Sequence, residues 1–186
     1  MIRISLLSFP FVALWDLFRH WLSIFSAPFE EPEMFWIIIP IWINWFFAEF
    51  FQEKHGTSFG NAVSNGAIAI LASVDWARYL YRLLVDGTIS FTFGVVLKFL
   101  VALGVFIYGM YIIIQGSRSR EIVYLIGRIR GVTYVLVIVT PIIYNVIKFD
   151  FQTILSSILF FPLYYWIIET IDRIAPEPKY YQAGKS

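Results

Sequence analysis

The chain has 186 residues, of which 59% are hydrophobic, 20% aromatic and only 15% charged, and its mean hydropathy of +0.73 lies well above that of ordinary soluble domains. Most of such a chain needs lipid as its solvent, and the length accommodates one bundle of about five or six crossings but no separate soluble catalytic domain. A net charge of +1 supplies no global basic field to gather nucleic acid, and the absence of cysteine excludes disulfides, thiolate metal sites and thiol nucleophiles.

Residues 1–26, MIRISLLSFPFVALWDLFRHWLSIFS, are apolar enough to resemble a signal sequence, but Asp16, Arg19 and His20 interrupt the run and no small-residue cleavage site follows. Ser8 is placed to cap a helix starting near Pro10, with Asp16, Arg19, His20 and Ser23 on one face. From Pro10 to Ser26 that helix is about 25 Å long, short for a crossing, so an amphipathic helix in the membrane interface is expected, with a sixth crossing as the alternative. The segment Ala27 to Glu33, APFEEPE, is an acidic loop and a boundary.

The first crossing runs from Met34 to Phe51, with Pro40 predicting a kink, and the polar turn QEKHGTSFG follows it. Ser58 or Asn61 then caps the most informative stretch, Asn61 to Arg82, which is long enough to cross a bilayer yet carries charge deep inside. Asn61, Asn65, Ala72, Asp75, Tyr79 and Arg82 recur at intervals of three, four or seven, so they form one stripe on a helix, flanked by Ser64 and Arg78. At 1.5 Å per residue the stripe runs roughly 32 Å, the depth of a hydrocarbon core.

Asp86-Gly87 marks a turn before a crossing from about Phe91 to Gln115, whose Gly94, Lys98, Ala102 and Gly109 share a face that another helix can approach closely. The next segment, GSRSREIVYLIGRIRG, brings Arg118, Arg120, Arg128 and Arg130 together and reads as a helix projecting from the membrane, its arginines facing lipid headgroups. An apolar run from Val132 to Ile147, punctuated by Pro141 and Asn145, leads through Lys148 and Asp150 to a last crossing from Gln152 to Ile171 with Pro162 and Glu169 on it. The expected organisation is therefore an all-α polytopic bundle. Residues 1–33 form an amphipathic helix and acidic loop, 34–171 the transmembrane bundle of five helices, and 172–186 a mobile tail.

With five crossings, Lys54, the arginine segment and the tail with Arg173, Lys179 and Lys185 fall on one side, while Glu30, Glu31, Glu33 and Asp86 fall on the other. The positive-inside bias then puts the C terminus in the cytoplasm.

A charge at mid-membrane needs a partner, water or a role. Asp75 and Arg78 are spaced to pair within their own helix, and Asp75 and Lys98 fall at equal depth in an antiparallel hairpin, so Asp75 is expected to be shared between them. The functional alternative is a hydrated path lined by Asn61, Asn65, Asp75, Arg78, Tyr79, Arg82 and Lys98, serving an ion or small polar solute. A second cluster, Glu49, Glu53, Lys54 and His55 at the cytoplasmic rim, reads either as a solvated turn or as a headgroup-acting site. Transport or channel activity is the leading expectation, with a non-catalytic scaffold subunit or a rim enzyme as alternatives. The expected partners are the lipid bilayer and another copy or membrane subunit, not nucleic acid. No cofactor or metal is expected, since only His20 and His55 are available as histidine ligands and no zinc or nucleophile-elbow motif occurs.

Overall fold

The computed structural model describes residues 3–52 and 58–174, with side chains described for residues 11–51 and 58–174. Glu53, Lys54 and His55 of the expected rim, and the tail beyond Ile174, lie outside the described residues.

Every regular element among the described residues is helical: α1 (Arg3–Ser26), α2 (Phe35–Phe47), α3 (Phe59–Val85), α4 (Phe93–Ser117), α5 (Val123–Ile126), α6 (Ile129–Ile143) and α7 (Phe151–Ile174). Two short 3-10 turns, Ala27–Phe29 and Pro32–Met34, precede α2, and a π turn, Ala48–Gln52, extends it. Three segments are long and apolar enough to cross a membrane: Pro32–Phe51, Phe93–Ser117 and Phe151–Ile174. In the latter two, only 17% of the most apolar window is buried inside the molecule. Large apolar side chains such as Leu100, Ile107, Ile158 and Trp166 therefore point outward, an apolar surface that lipid satisfies and water does not. α3 is long enough to cross but carries Asp75, Arg78 and Arg82, and α6 is apolar but only 15 residues long.

α6 is buried on most of its faces, from Val132 through Leu136 and Val137 to Ile143, so the other helices are arranged around it. The closest pair is α3 with α4. A Cβ built on Gly66 would sit 2.8 Å from the Gly109 carbonyl oxygen, and one on Gly109 would sit 2.7 Å from that of Gly66. Bare backbone on both helices is what permits this approach, the arrangement small residues give helix pairs in lipid.

Several boundaries differ from the sequence reading. α1 starts at Arg3 rather than near Pro10, and its C-terminal half is docked on the bundle: Trp21 and Ile24 are buried against α6 and α7, and His20 meets Thr153 Oγ1 at 2.8 Å. Docking follows from Trp21, whose indole N–H donates to the Tyr134 hydroxyl at 2.9 Å, which in turn donates to the Ser157 carbonyl. A tryptophan with a buried partner for its polar edge packs inward. The arginine segment is no projecting helix. It is a turn, with Ser119 at φ 52°, followed by the single-turn α5, because Gly127 closes onto Ala62 of α3 and pins the connection to the bundle. Ser58 and Thr92 cap α3 and α4 through side-chain oxygens that accept from the backbone N–H three residues on.

Candidate functional site

The stripe of α3 resolves into three layers. At its N-terminal end Asn65 is fully buried, donating to the Gly127 carbonyl at 2.7 Å and accepting from Asn44 Nδ2 at 3.1 Å, while Ser64 donates to Asn44 Oδ1 at 2.9 Å. Asn61 is also buried. These amides tie α2, α3 and the α5 connection together, as polar side chains do between helices in lipid.

The middle layer is apolar and buried. Ile68, Ala69, Ala72 and Trp76 are buried in the main core, and the Trp76 indole donates to Thr140 Oγ1 of α6 at 3.2 Å. The sequence pattern misses this closure because Ala72, counted with the stripe for its spacing, has nothing polar to offer.

The third layer is ionic. Asp75 accepts from Arg78 Nη2 at 2.8 Å and from the Tyr144 hydroxyl at 2.7 Å, and the Tyr144 ring stacks on Tyr79 with centroids 3.9 Å apart. Glu33, from the turn before α2, joins the group: Arg82 donates to its Oε2, and Arg78 Nη2 lies 3.7 Å from its Oε1. Glu33 was legible only as part of the acidic loop and Tyr144 was not singled out, since 42 and 69 residues of chain separate them from Asp75.

Lys98 is not a partner of Asp75, contrary to the sequence expectation. It donates to Asn145 Oδ1 and, at 3.4 Å, to the Ile143 carbonyl. The C-terminal end of α6 provides both partners: Tyr144 satisfies Asp75, and carbonyls left free where α6 ends attract the ammonium. Asn145, at φ 64°, makes the turn that brings its side chain to Lys98.

At the opposite end of the bundle, Arg130 is turned inward rather than toward headgroups. Its Nε donates to Glu49 Oε1 at 2.7 Å, its Nη1 donates to Glu169 Oε2 at 2.6 Å, its Nη2 is 3.8 Å from Asp172, and its guanidinium lies over the Tyr165 ring. Glu49 is only 3% exposed, so it is part of this buried network and not of a solvated rim. Arg118, Arg120 and Arg128 are exposed at the same end. No group of three or more possible metal-ligating side chains occurs among the described residues.

Beside the ionic layer, a cleft of about 610 Å³ opens between α2 and α3, lined by Glu33, Trp36, Ile37, Leu71, Asp75, Arg78 and Arg82. It is bounded by guanidinium and carboxylate groups at one end of its α3 wall and by Leu71 at the other. No family model, curated protein or solved structure matches this chain.

Proposed function

We propose that this chain is a non-catalytic multi-pass membrane protein that works by binding at its surface, with an interior serving to hold the bundle together. The observation that carries this reading is the buried apolar layer of Ile68, Ala69, Ala72 and Trp76, which separates the polar groups at the two ends of α3. Further support comes from the charges themselves: Asp75, Arg78, Arg82, Lys98 and Arg130 each have a protein partner. Paired charges locking helices in register need no water-filled route.

In this reading α2, α3, α4, α6 and α7 cross the bilayer, and the end bearing Arg118, Arg120, Arg128, Arg130 and Arg173 faces the cytoplasm with the C terminus. The experiment is flux through proteoliposomes loaded with a fluorescent ion or pH reporter. Vesicles as tight as protein-free controls are expected, and a protein-dependent leak would overturn the closed interior.

A second reading, a carrier or channel for an ion or small polar solute, is favoured by the polar groups on both sides of a thin apolar layer, an arrangement that also suits a hydrophobic gate. It requires Trp76 to leave Thr140. Trp76→Ala vesicles that become selectively permeable would favour it over the scaffold.

A further inference from the structure

The cleft between α2 and α3 has a chemistry that internal locking does not use up. Arg78 and Arg82 are four residues apart on one face of α3, and Glu33 from the neighbouring segment holds them side by side despite their like charge. Their side chains remain 51% and 43% exposed. Among the described residues Arg78 Nη1, Arg82 Nε and Arg82 Nη1 have no acceptor, so N–H donors on both guanidiniums are left for an oxyanion.

Depth along the helix supplies the second observation. Arg82 and Arg78 lie roughly 5 and 10 Å from the end of α3 at Val85, the level of lipid headgroups and the first carbons of the chains. Leu71 lies about 10 Å deeper than Arg78 on the same wall, half exposed, and Ile37 and Trp36 line the cleft from the α2 side within about a turn of Glu33. A free phosphate uses only the guanidinium end, whereas an amphiphile standing along the bilayer normal uses both ends.

The charge count narrows the headgroup. Glu33 and Asp75 offset Arg78 and Arg82, so the four groups sum to zero, and a net anion would leave the cleft negative. Trp36, 77% exposed on the same cleft, offers a ring face to an ammonium group. We propose that the Glu33–Asp75–Arg78–Arg82 cleft binds a zwitterionic phospholipid, its phosphate on the two guanidiniums, its ammonium near Trp36 and one acyl chain along Leu71 and Ile37. The proposal deepens the surface-binding reading of the protein and rests on it.

The test is native mass spectrometry of the full chain released from nanodiscs holding equal amounts of phosphatidylethanolamine and phosphatidylglycerol. Wild type retains phosphatidylethanolamine in preference to phosphatidylglycerol, and Arg78→Gln/Arg82→Gln lowers retention by about tenfold or more, as expected for the loss of charge-assisted hydrogen bonds. Leu71→Trp, which fills the apolar wall and leaves every ion pair intact, lowers retention without shifting the melting temperature, so a misfolded arginine variant does not decide the matter. Equal retention by wild type and Leu71→Trp overturns the acyl-chain site. Phosphatidylglycerol retained as well as phosphatidylethanolamine overturns the zwitterion assignment, and loss of lipid on adding inorganic phosphate reveals a soluble-anion site instead. Vesicle leak reports separately: tight vesicles without lipid retention sink this inference alone, and leaky vesicles sink the closed interior.

Discussion

Arg130→Met is the substitution that most directly probes how the bundle is held. Arg130 is 13% exposed and reaches three carboxylates, Glu49, Glu169 and Asp172, of which Glu49 is 3% exposed and Glu169 is shared with Arg173. At an effective dielectric near 20, opposite charges about 4 Å apart attract by about 4 kcal/mol, so one guanidinium offsets much of the burial cost of its neighbours. Removing it strands Glu49 in the interior among like charges, and a loss of about 3 to 5 kcal/mol is expected. Glu49→Gln/Arg130→Met leaves no stranded charge at that pair and should be milder than the sum of its two single changes by at least about 1 kcal/mol. Reversible unfolding in mixed micelles, followed by circular dichroism against denaturant fraction, measures all four corners of the cycle. A loss under about 1 kcal/mol for Arg130→Met, or strict additivity in the cycle, would refute the argument that this network is buried and coupled.

Gly66→Ala forces a methyl to within 2.8 Å of the Gly109 carbonyl and should destabilise the bundle by about 1 to 3 kcal/mol, whereas Gly104→Ala, with nothing within 4 Å, should unfold with wild type in the same assay. Trp21→Ala removes the side chain that docks α1 and should cost about 3 to 5 kcal/mol, against under about 0.5 kcal/mol for the exposed Trp15→Ala. Spin labels on α1 of Trp21→Ala should gain mobility, and unchanged spectra would mean that Trp21 does not dock the helix. In this cysteine-free chain, single cysteines at Glu31 and Ser117 should label from opposite sides of sealed vesicles, and same-side labelling would invert the proposed topology. Asp150 caps α7 by accepting the Thr153 N–H at 2.8 Å, and that bond holds its pKa below the usual carboxylate value. A depressed folded-state value means the contribution is present above the unfolded carboxylate's range and is lost as pH falls through the folded value. Protection of the first-turn amides of α7, measured as exchange relative to the intrinsic rate at each pH, should therefore fall at acid pH, and Asp150→Ala should remove that dependence.

Helix identity and the presence of helices long and apolar enough to cross a membrane were legible in the sequence because they depend on local quantities. Apolar runs, capping residues such as Ser58, and the 3.6-residue spacing of Asn65, Asp75 and Arg82 act within a few turns of chain. Pairing of Asp75 with Arg78 was legible for the same reason, since both lie on one helix face. What the chain order hides is which helix faces which. Lys98 and Asp75 were expected at matching depth, yet the end of α6 provides the partner of each, a choice made by where α6 ends and Asn145 turns the chain. Arg130 is one of four arginines in a segment that reads as surface, and only the convergence of α2, α6 and α7 turns it alone inward to Glu49 and Glu169. The cleft belongs to the same class: Glu33 reads as a loop acid until the tertiary fold brings it to Arg82, and a binding site assembled from two helices exists only once their packing fixes the distance between them.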